Sequence, residues 1–252
     1  MTCNKAVAIL GLVAALGCPA VAQTEEAAVP TPAGRWTPHL SGGLDLASAY
    51  IYKGMTLSDD LVAQPWLELS GLPLTLGVWG NYDLGSYDGN IRRHALSEVD
   101  LSVSRGLTLG AFEAVVGYLY CTYPTVDYEH DHFATLDLSY AVIEPLRFGV
   151  YGDYTVAGSL DKNWYVRPYV NYTLTLTPDL GFDVFGKVGY LNNDDSEASD
   201  GWAHYDLGVK ANYKILTAGI TYIGRLNSNV LPDGIYAYDT KWVYTLGVSF
   251  EY

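Results

Sequence analysis

Residues 244–252, "YTLGVSFEY", are the last nine of the chain. Tyr244, Leu246, Val248, Phe250 and Tyr252 fall on one face of an extended backbone, while Thr245, Gly247, Ser249 and Glu251 fall on the other, because successive side chains of a strand point to opposite sides. A terminus of this kind frays unless it pairs with something. The pattern predicts a closing seam in which the last strand pairs with the first and Tyr252 lies opposite the start of that first strand at Leu40.

The same period of two recurs through the chain. From His39 onward, twelve segments alternate apolar and polar residues, at 40–53, 61–71, 74–85, 95–105, 108–121, 132–143, 146–157, 163–177, 180–192, 203–214, 216–227 and 241–252. Each approaches or exceeds the ~9 to 11 residues that a tilted strand needs to cross a bilayer. Their connections sort by length. "GLP", "RGL", "EPL", "TPD" and "KIL" are tight, and between them come "GMTLSDD", "SYDGNIRRH", "TYPTVDYEHD", "AGSLDK", "NDDSEASDGW" and "NSNVLPDGIYAYDT". Short turns at one end and long loops at the other predict an all-β fold, a twelve-stranded antiparallel up-and-down transmembrane β-barrel over residues 39–252, with both termini on the periplasmic side.

Composition agrees. The chain has 22 Tyr, 6 Trp and 26 Gly with 17% charged residues, and a mean hydropathy of +0.07 is too low for a helical membrane protein. Acids outnumber bases 28 to 14, so nucleic acid is not an expected partner. Residues 1–22 read as a signal peptide: Lys5 is basic, "AVAILGLVAALG" is an apolar core too short to span a bilayer, and Ala20-Val21-Ala22 is a small-residue cleavage site. A cut before Cys18 is the weaker alternative, since "ALGC" lacks the usual leading Leu and Pro19 follows. Residues 23–38 are polar, proline-bearing and aperiodic, as expected of a periplasmic lead-in.

A soluble β-sandwich would also alternate, with its apolar faces turned inward. Aromatic placement decides against it. Tyr50, Tyr82, Tyr118, Tyr120, Tyr154, Tyr190, Tyr205 and Tyr222 lie on the apolar phase near the loop-side ends, where an interfacial girdle places them. If that phase meets lipid, the other phase lines the interior. Strands one to six then contribute Asp45, Glu68, Asp83, Glu98, Asp100, Glu113 and Asp137, with Lys53 at the mouth. Strands seven to twelve contribute Arg147, Asp153, Arg167, Asp183, Lys187, Asp206, Lys210, Arg225, Lys241 and Glu251. An acidic wall facing a mixed and basic one suits a narrow pore for small polar solutes or ions. Alternatively the same charges pair and, with Trp66, Trp79, Tyr151, Tyr165 and Tyr169, fill the barrel, because twelve strands lie between barrels packed solid and barrels with an aqueous channel.

No enzymatic constellation emerges. His94, His132 and His204 fall on or near the inner phase or in loops, and none pairs with an outward Ser. In "YEHDH", Glu129, His130, Asp131 and His132 could hold a metal, but no ligand-spacing motif accompanies them, so a solvated loop is the better reading. Asp194, Asp195, Glu197 and Asp200 lack the oxygen spacing of a calcium-hand loop. No cofactor or metal is expected.

"SAYIYKGMTLSDDLVAQPWLEL" (48–69), followed by "LGVWGN" (76–81), resembles the first hairpin of the TorF family of bacterial porins. The matching positions are Tyr50, Tyr52, Gly54, Ser58, Gln64, Gly77 and Trp79, with Lys53 where an Arg is usual and Pro65 where a small residue is. The resemblance implies an outer-membrane channel. The terminal row Tyr244, Leu246, Val248, Phe250 and Tyr252 also resembles the signal by which the outer-membrane assembly machinery selects its clients. That machinery, outer-membrane lipids, lipopolysaccharide and small polar solutes are the expected partners.

Overall fold

In the computed structural model, residues 36–87, 92–125, 129–158, 162–193, 198–233 and 241–252 are described. The expected signal peptide, nearly all of the expected lead-in and parts of five loops lie outside them. Every regular element among the described residues is a strand: β1 (His39–Ala47), β2 (Tyr50–Tyr52), β3 (Met55–Ser58), β4 (Val62–Ser70), β5 (Thr75–Asp83), β6 (Ala95–Leu109), β7 (Phe112–Thr122), β8 (Asp131–Ile143), β9 (Leu146–Ala157), β10 (Trp164–Thr177), β11 (Leu180–Leu191), β12 (Gly201–Tyr213), β13 (Leu216–Arg225) and β14 (Trp242–Glu251).

Twelve of these close into one antiparallel barrel, each paired with its neighbour in the chain except at the β1–β14 seam. There Ser41 faces Glu251, Leu44 faces Val248 and Ala47 faces Thr245. Leu40 and Tyr252 exchange both backbone hydrogen bonds, at 2.9 and 2.8 Å, so the terminal aromatic is tied into the ladder. Closure leaves the barrel itself without an unpaired edge.

The outer surface is apolar. Leu44, Leu67, Val78, Leu101, Val116, Leu136, Val150, Leu174, Val184, Val209, Ile220 and Leu246, from successive strands around the ring, are all exposed. A continuous belt of this kind far exceeds the few hundred Å² of contiguous apolar surface usual on a monomer in water. Aromatic rings edge the belt on the loop side: Trp164 stacks on Tyr190 at 5.1 Å, Tyr190 meets Trp202 edge-on, and Tyr222 packs on Trp242 at 4.8 Å.

Two boundaries differ from the sequence-based expectation. The "RGL" turn is not one: Arg105, Gly106 and Leu107 continue β6, paired with Val116, Val115 and Ala114. The chain reverses instead at Gly110-Ala111, where Gly110 adopts φ +64°, a left-handed conformation that glycine takes without steric penalty. The first segment, 40–53, is not one strand either. β1 ends at Ala47, and Tyr50–Tyr52 instead pairs with Met55–Ser58 in a separate two-stranded sheet.

Candidate functional site: the barrel interior

The β2–β3 hairpin occupies the loop that was expected to be wet, "GMTLSDD", and it folds into the barrel. Its tip is a two-residue turn with both residues left-handed, Lys53 at φ +48° and Gly54 at φ +87°, the conformation of the tight turns that match strand twist. Gly54 lies against His204 of β12, so closely that a Cβ on it would stand 2.6 Å from the His204 Cβ. The Tyr50 hydroxyl donates to Glu98 Oε2 on β6 at 2.8 Å. The Lys53 Nζ donates to Asp153 Oδ1 on β9 at 2.9 Å. The hairpin leaves the wall between β1 and β4, and β9 is six strands from β1 in the ring of twelve, so Lys53 reaches the far side of the barrel.

This position overturns three expectations. Tyr50 is not part of the outer girdle; it is buried inside, on Glu98. Lys53 is not a cation at an open mouth; it is enclosed, its side chain 7% exposed and that of Asp153 4%. Its ammonium lies over the rings of Tyr165 at 4.7 Å, Tyr52 at 4.8 Å and Phe133 at 5.4 Å. Burial pushes its pKa below the ordinary lysine value of 10.5, with Asp153 pulling it back. The loop is dry from Gly54 to Ser58 rather than solvated throughout, and only Asp59 and Asp60 of it are exposed.

Around the hairpin the loop-side half of the barrel has an apolar core. Tyr50, Tyr52 and Met55 pack with the wall residues Trp79, Leu119, Phe133, Tyr165, Leu191 and Ile223, and with Val230 and Leu231 of the segment after β13. Arg225 fastens that segment by donating to Leu231 O at 3.0 Å and to Asp233 at 2.5 Å. Its guanidinium holds the Asp233 carboxyl below the usual carboxylate range. Leu119, Phe133, Leu191 and Ile223 sit on the polar phase of their strands, as do Trp79 and Tyr165, two of the aromatics that the filled-barrel alternative placed inside.

The expected interior residues from Asp45 to Arg225 that belong to barrel strands lie on the inner face; Lys53 is in the hairpin turn, and Lys241 is exposed just before β14. In the loop-side half Asp83, Glu98 and Asp100 are buried in the wall, with Asn81 donating to Ser97 Oγ and Asp83 Oδ2. Further along the ring, His204 faces Asp206 through Nδ1 at 2.9 Å, and the Tyr165 hydroxyl meets its Nε2 at 3.0 Å. An ionised carboxylate only accepts, so Nδ1 is the donor to Asp206. Lys187 stands opposite Asp206 across β11–β12, and Arg167 lies over the Tyr151 ring at 4.9 Å with its buried Nε unpartnered.

Toward the short turns the interior is wetter. Arg147 donates to Glu113 at 2.5 Å and to Ser139 at 2.7 Å, and these two charged side chains remain 25% and 22% exposed. Tyr169 donates to Asp137 at 2.8 Å. Asp183 accepts from Thr173 at 2.8 Å and Asn212 at 2.6 Å, and stands opposite Lys210. Asp45 and Glu68 complete this half on β1 and β4, opposite Gln64 and Ser41. The acid and base walls are thus not held apart by a uniform gap: Glu113 is bridged to Arg147, and Asp153 to Lys53.

The histidines separate. His204 is inside. His132 is on the outer face, where its Nδ1 lies 2.5 Å from the Tyr118 hydroxyl and its ring 4.9 Å from that of Tyr120. Asp131 of the same "YEHDH" stretch is buried inside and accepts from the Tyr123 hydroxyl at 2.8 Å. Those residues therefore do not converge on one metal site. Most of "NDDSEASDG" lies outside the described residues; Asp200 accepts from Asn192 Nδ2 and the Asn193 backbone.

No protein-family model matches the chain, and no curated protein does. Among solved structures it is similar to the KdgM porin in complex with disordered oligogalacturonate, at 10% identity and TM-score 0.49, over 84% of this chain and 98% of that one. It is also similar to the NanC porin, at 16% identity and TM-score 0.49, over 85% and 99%. A third similar structure is an outer membrane channel of Pseudomonas putida F1, at 9% identity and TM-score 0.48, over 85% and 94%. Likeness at this level does not carry what those proteins bind over to this chain.

Proposed function

We propose that the protein is an outer-membrane channel for passive diffusion of small polar solutes or ions, closed on its loop side in this conformation by the β2–β3 hairpin. The observation that carries the proposal is the two-sided wall. Its outside is an unbroken apolar belt, and its inside, from Asp45 and Glu113 to Arg147 and Lys210, is charged and partly hydrated. An ionised group facing hydrocarbon costs about 2 to 4 kcal/mol at the midplane, so this distribution suits a barrel with lipid outside and water within. Residues 1–22 direct export, residues 23–38 lead in from the periplasm, and the short turns face the periplasm. The terminal row from Tyr244 to Tyr252 is the assembly signal, and outer-membrane lipids and lipopolysaccharide surround the belt. The resemblance of the first hairpin to the TorF family supports the same reading, and catalysis, a metal and a cofactor form no part of it.

The dry hairpin core supports a second reading, a barrel that never conducts and serves the envelope structurally. Planar-bilayer recordings and liposome swelling on purified protein separate the two. Discrete current steps and swelling with small sugars or amino acids support the channel. Silence from both wild type and a variant lacking residues 50–58, with the flanks joined by a short Gly-Ser link, removes it.

A further inference from the structure

Lys53 is an unusual residue for its position. Both residues of a two-residue turn of this type have positive φ, which favours Asn or Gly at the first place, and a left-handed conformation is strained for a residue with a Cβ. Strain of this kind persists where surrounding structure compensates it, and here the compensation is at the ammonium. The group that receives it belongs to the wall and not to the hairpin. Phe133, Asp153 and Tyr165 sit on the adjacent strands β8, β9 and β10, and Asp153 faces Tyr165 directly across the ladder. All three are buried. A carboxylate flanked by two aromatic rings, with the cation 2.9 Å from the carboxylate oxygen and 4.7 and 5.4 Å from the ring centroids, is the arrangement that recognises organic ammonium groups.

We propose that Phe133, Asp153 and Tyr165 form a binding site for organic ammonium solutes, primary or quaternary, and that Lys53 occupies it as a tethered internal ligand. A solute carrying such a group competes with Lys53 for the same rings and carboxylate, and when it wins, the hairpin tip loses its hold on the far wall. The site gains most from weakly hydrated cations, because strongly hydrated inorganic ions give up more to enter a dry, ring-lined pocket. Coupling of the site to opening rests on the channel reading; the binding itself does not.

The test uses the full mature barrel in detergent micelles, with choline and butylammonium as probes and titration calorimetry as readout. Native state is judged by heat-modifiable migration. Lys53→Ala and Lys53→Gln vacate the site without touching a barrel strand. Apparent affinity scales with the fraction of molecules whose site is open, so both variants should bind choline at least about tenfold tighter than wild type if Lys53 fills nine sites in ten or more. Adding Asp153→Asn should abolish the gain. Equal affinity in wild type and both variants, or a gain that survives Asp153→Asn, overturns the proposal. Choline binding by the variants without current steps in bilayers would sink the channel and leave the site. Current steps without choline binding would do the reverse.

Discussion

Asp153→Ala should open the barrel. The change removes the carboxylate that lies 2.9 Å from Lys53 Nζ and leaves an ammonium enclosed among Tyr52, Phe133 and Tyr165. Breaking one partner of a buried pair destabilises by about 3 to 5 kcal/mol, because the survivor is left uncompensated. Both side chains are under a tenth exposed, so solvent screening reduces this little. The barrel ladder does not depend on the pair, and the hairpin can return Lys53 to water by undocking, so the penalty falls on the docked state. At about 1.4 kcal/mol per factor of ten, 3 kcal/mol corresponds to roughly a hundredfold rise in the undocked-to-docked ratio. Lys53→Ala/Asp153→Ala removes both charges and should open less than Asp153→Ala alone, which makes the pair a double-mutant cycle. Open probability in planar bilayers at fixed voltage is the measurement. Equal open probability in wild type and Asp153→Ala, or in the single and double variants, would refute the latch.

Gly54→Ala should weaken hairpin docking by about 1 to 2 kcal/mol or more, since φ is +87° and the new Cβ meets His204 at 2.6 Å, whereas Gly110→Ala should carry the backbone term alone because its surroundings are open. Protease accessibility of residues 50–58 reads the first, and urea midpoints in vesicles compare both. Leu136→Arg on the outer belt should lower folding stability in bilayers by about 2 to 4 kcal/mol if it lies near the midplane, beyond the loss seen in Leu136→Ala. Deleting Phe250 to Tyr252 removes the Leu40–Tyr252 exchange and should leave the protein without its heat-modifiable, membrane-inserted form. The docked Lys53 has a lower pKa than a solvated one at 10.5, so the undocked state binds more protons between the two values. Docking should therefore strengthen as pH rises through that window and be flat below it; protection of the hairpin amides from hydrogen exchange that falls as pH rises, after correction for intrinsic rates, would contradict this.

Much of the wall was legible in the sequence. The period of two, the sorting of connections by length and the aromatic ending of "YTLGVSFEY" point to twelve paired strands and to the Leu40–Tyr252 seam, because strand pairing is local and each hairpin carries its own turn chemistry. The placement of Asp45, Glu113, Arg147 and Lys210 on one phase follows from the same alternation. What lay beyond it was the use of the interior. Tyr50 and Lys53 continue the alternation of β1, and nothing local distinguishes a strand that runs on from one that breaks at Ser48 and turns inward. That choice is made by residues far away in the chain: Glu98, Phe133, Asp153, Tyr165 and His204 come from five different strands, and only barrel closure brings them around the hairpin tip. Periodicity determines which residues share a face. The tertiary structure decides what that face encloses, because the partners of a buried ammonium are set by the opposite wall and not by its neighbours in sequence.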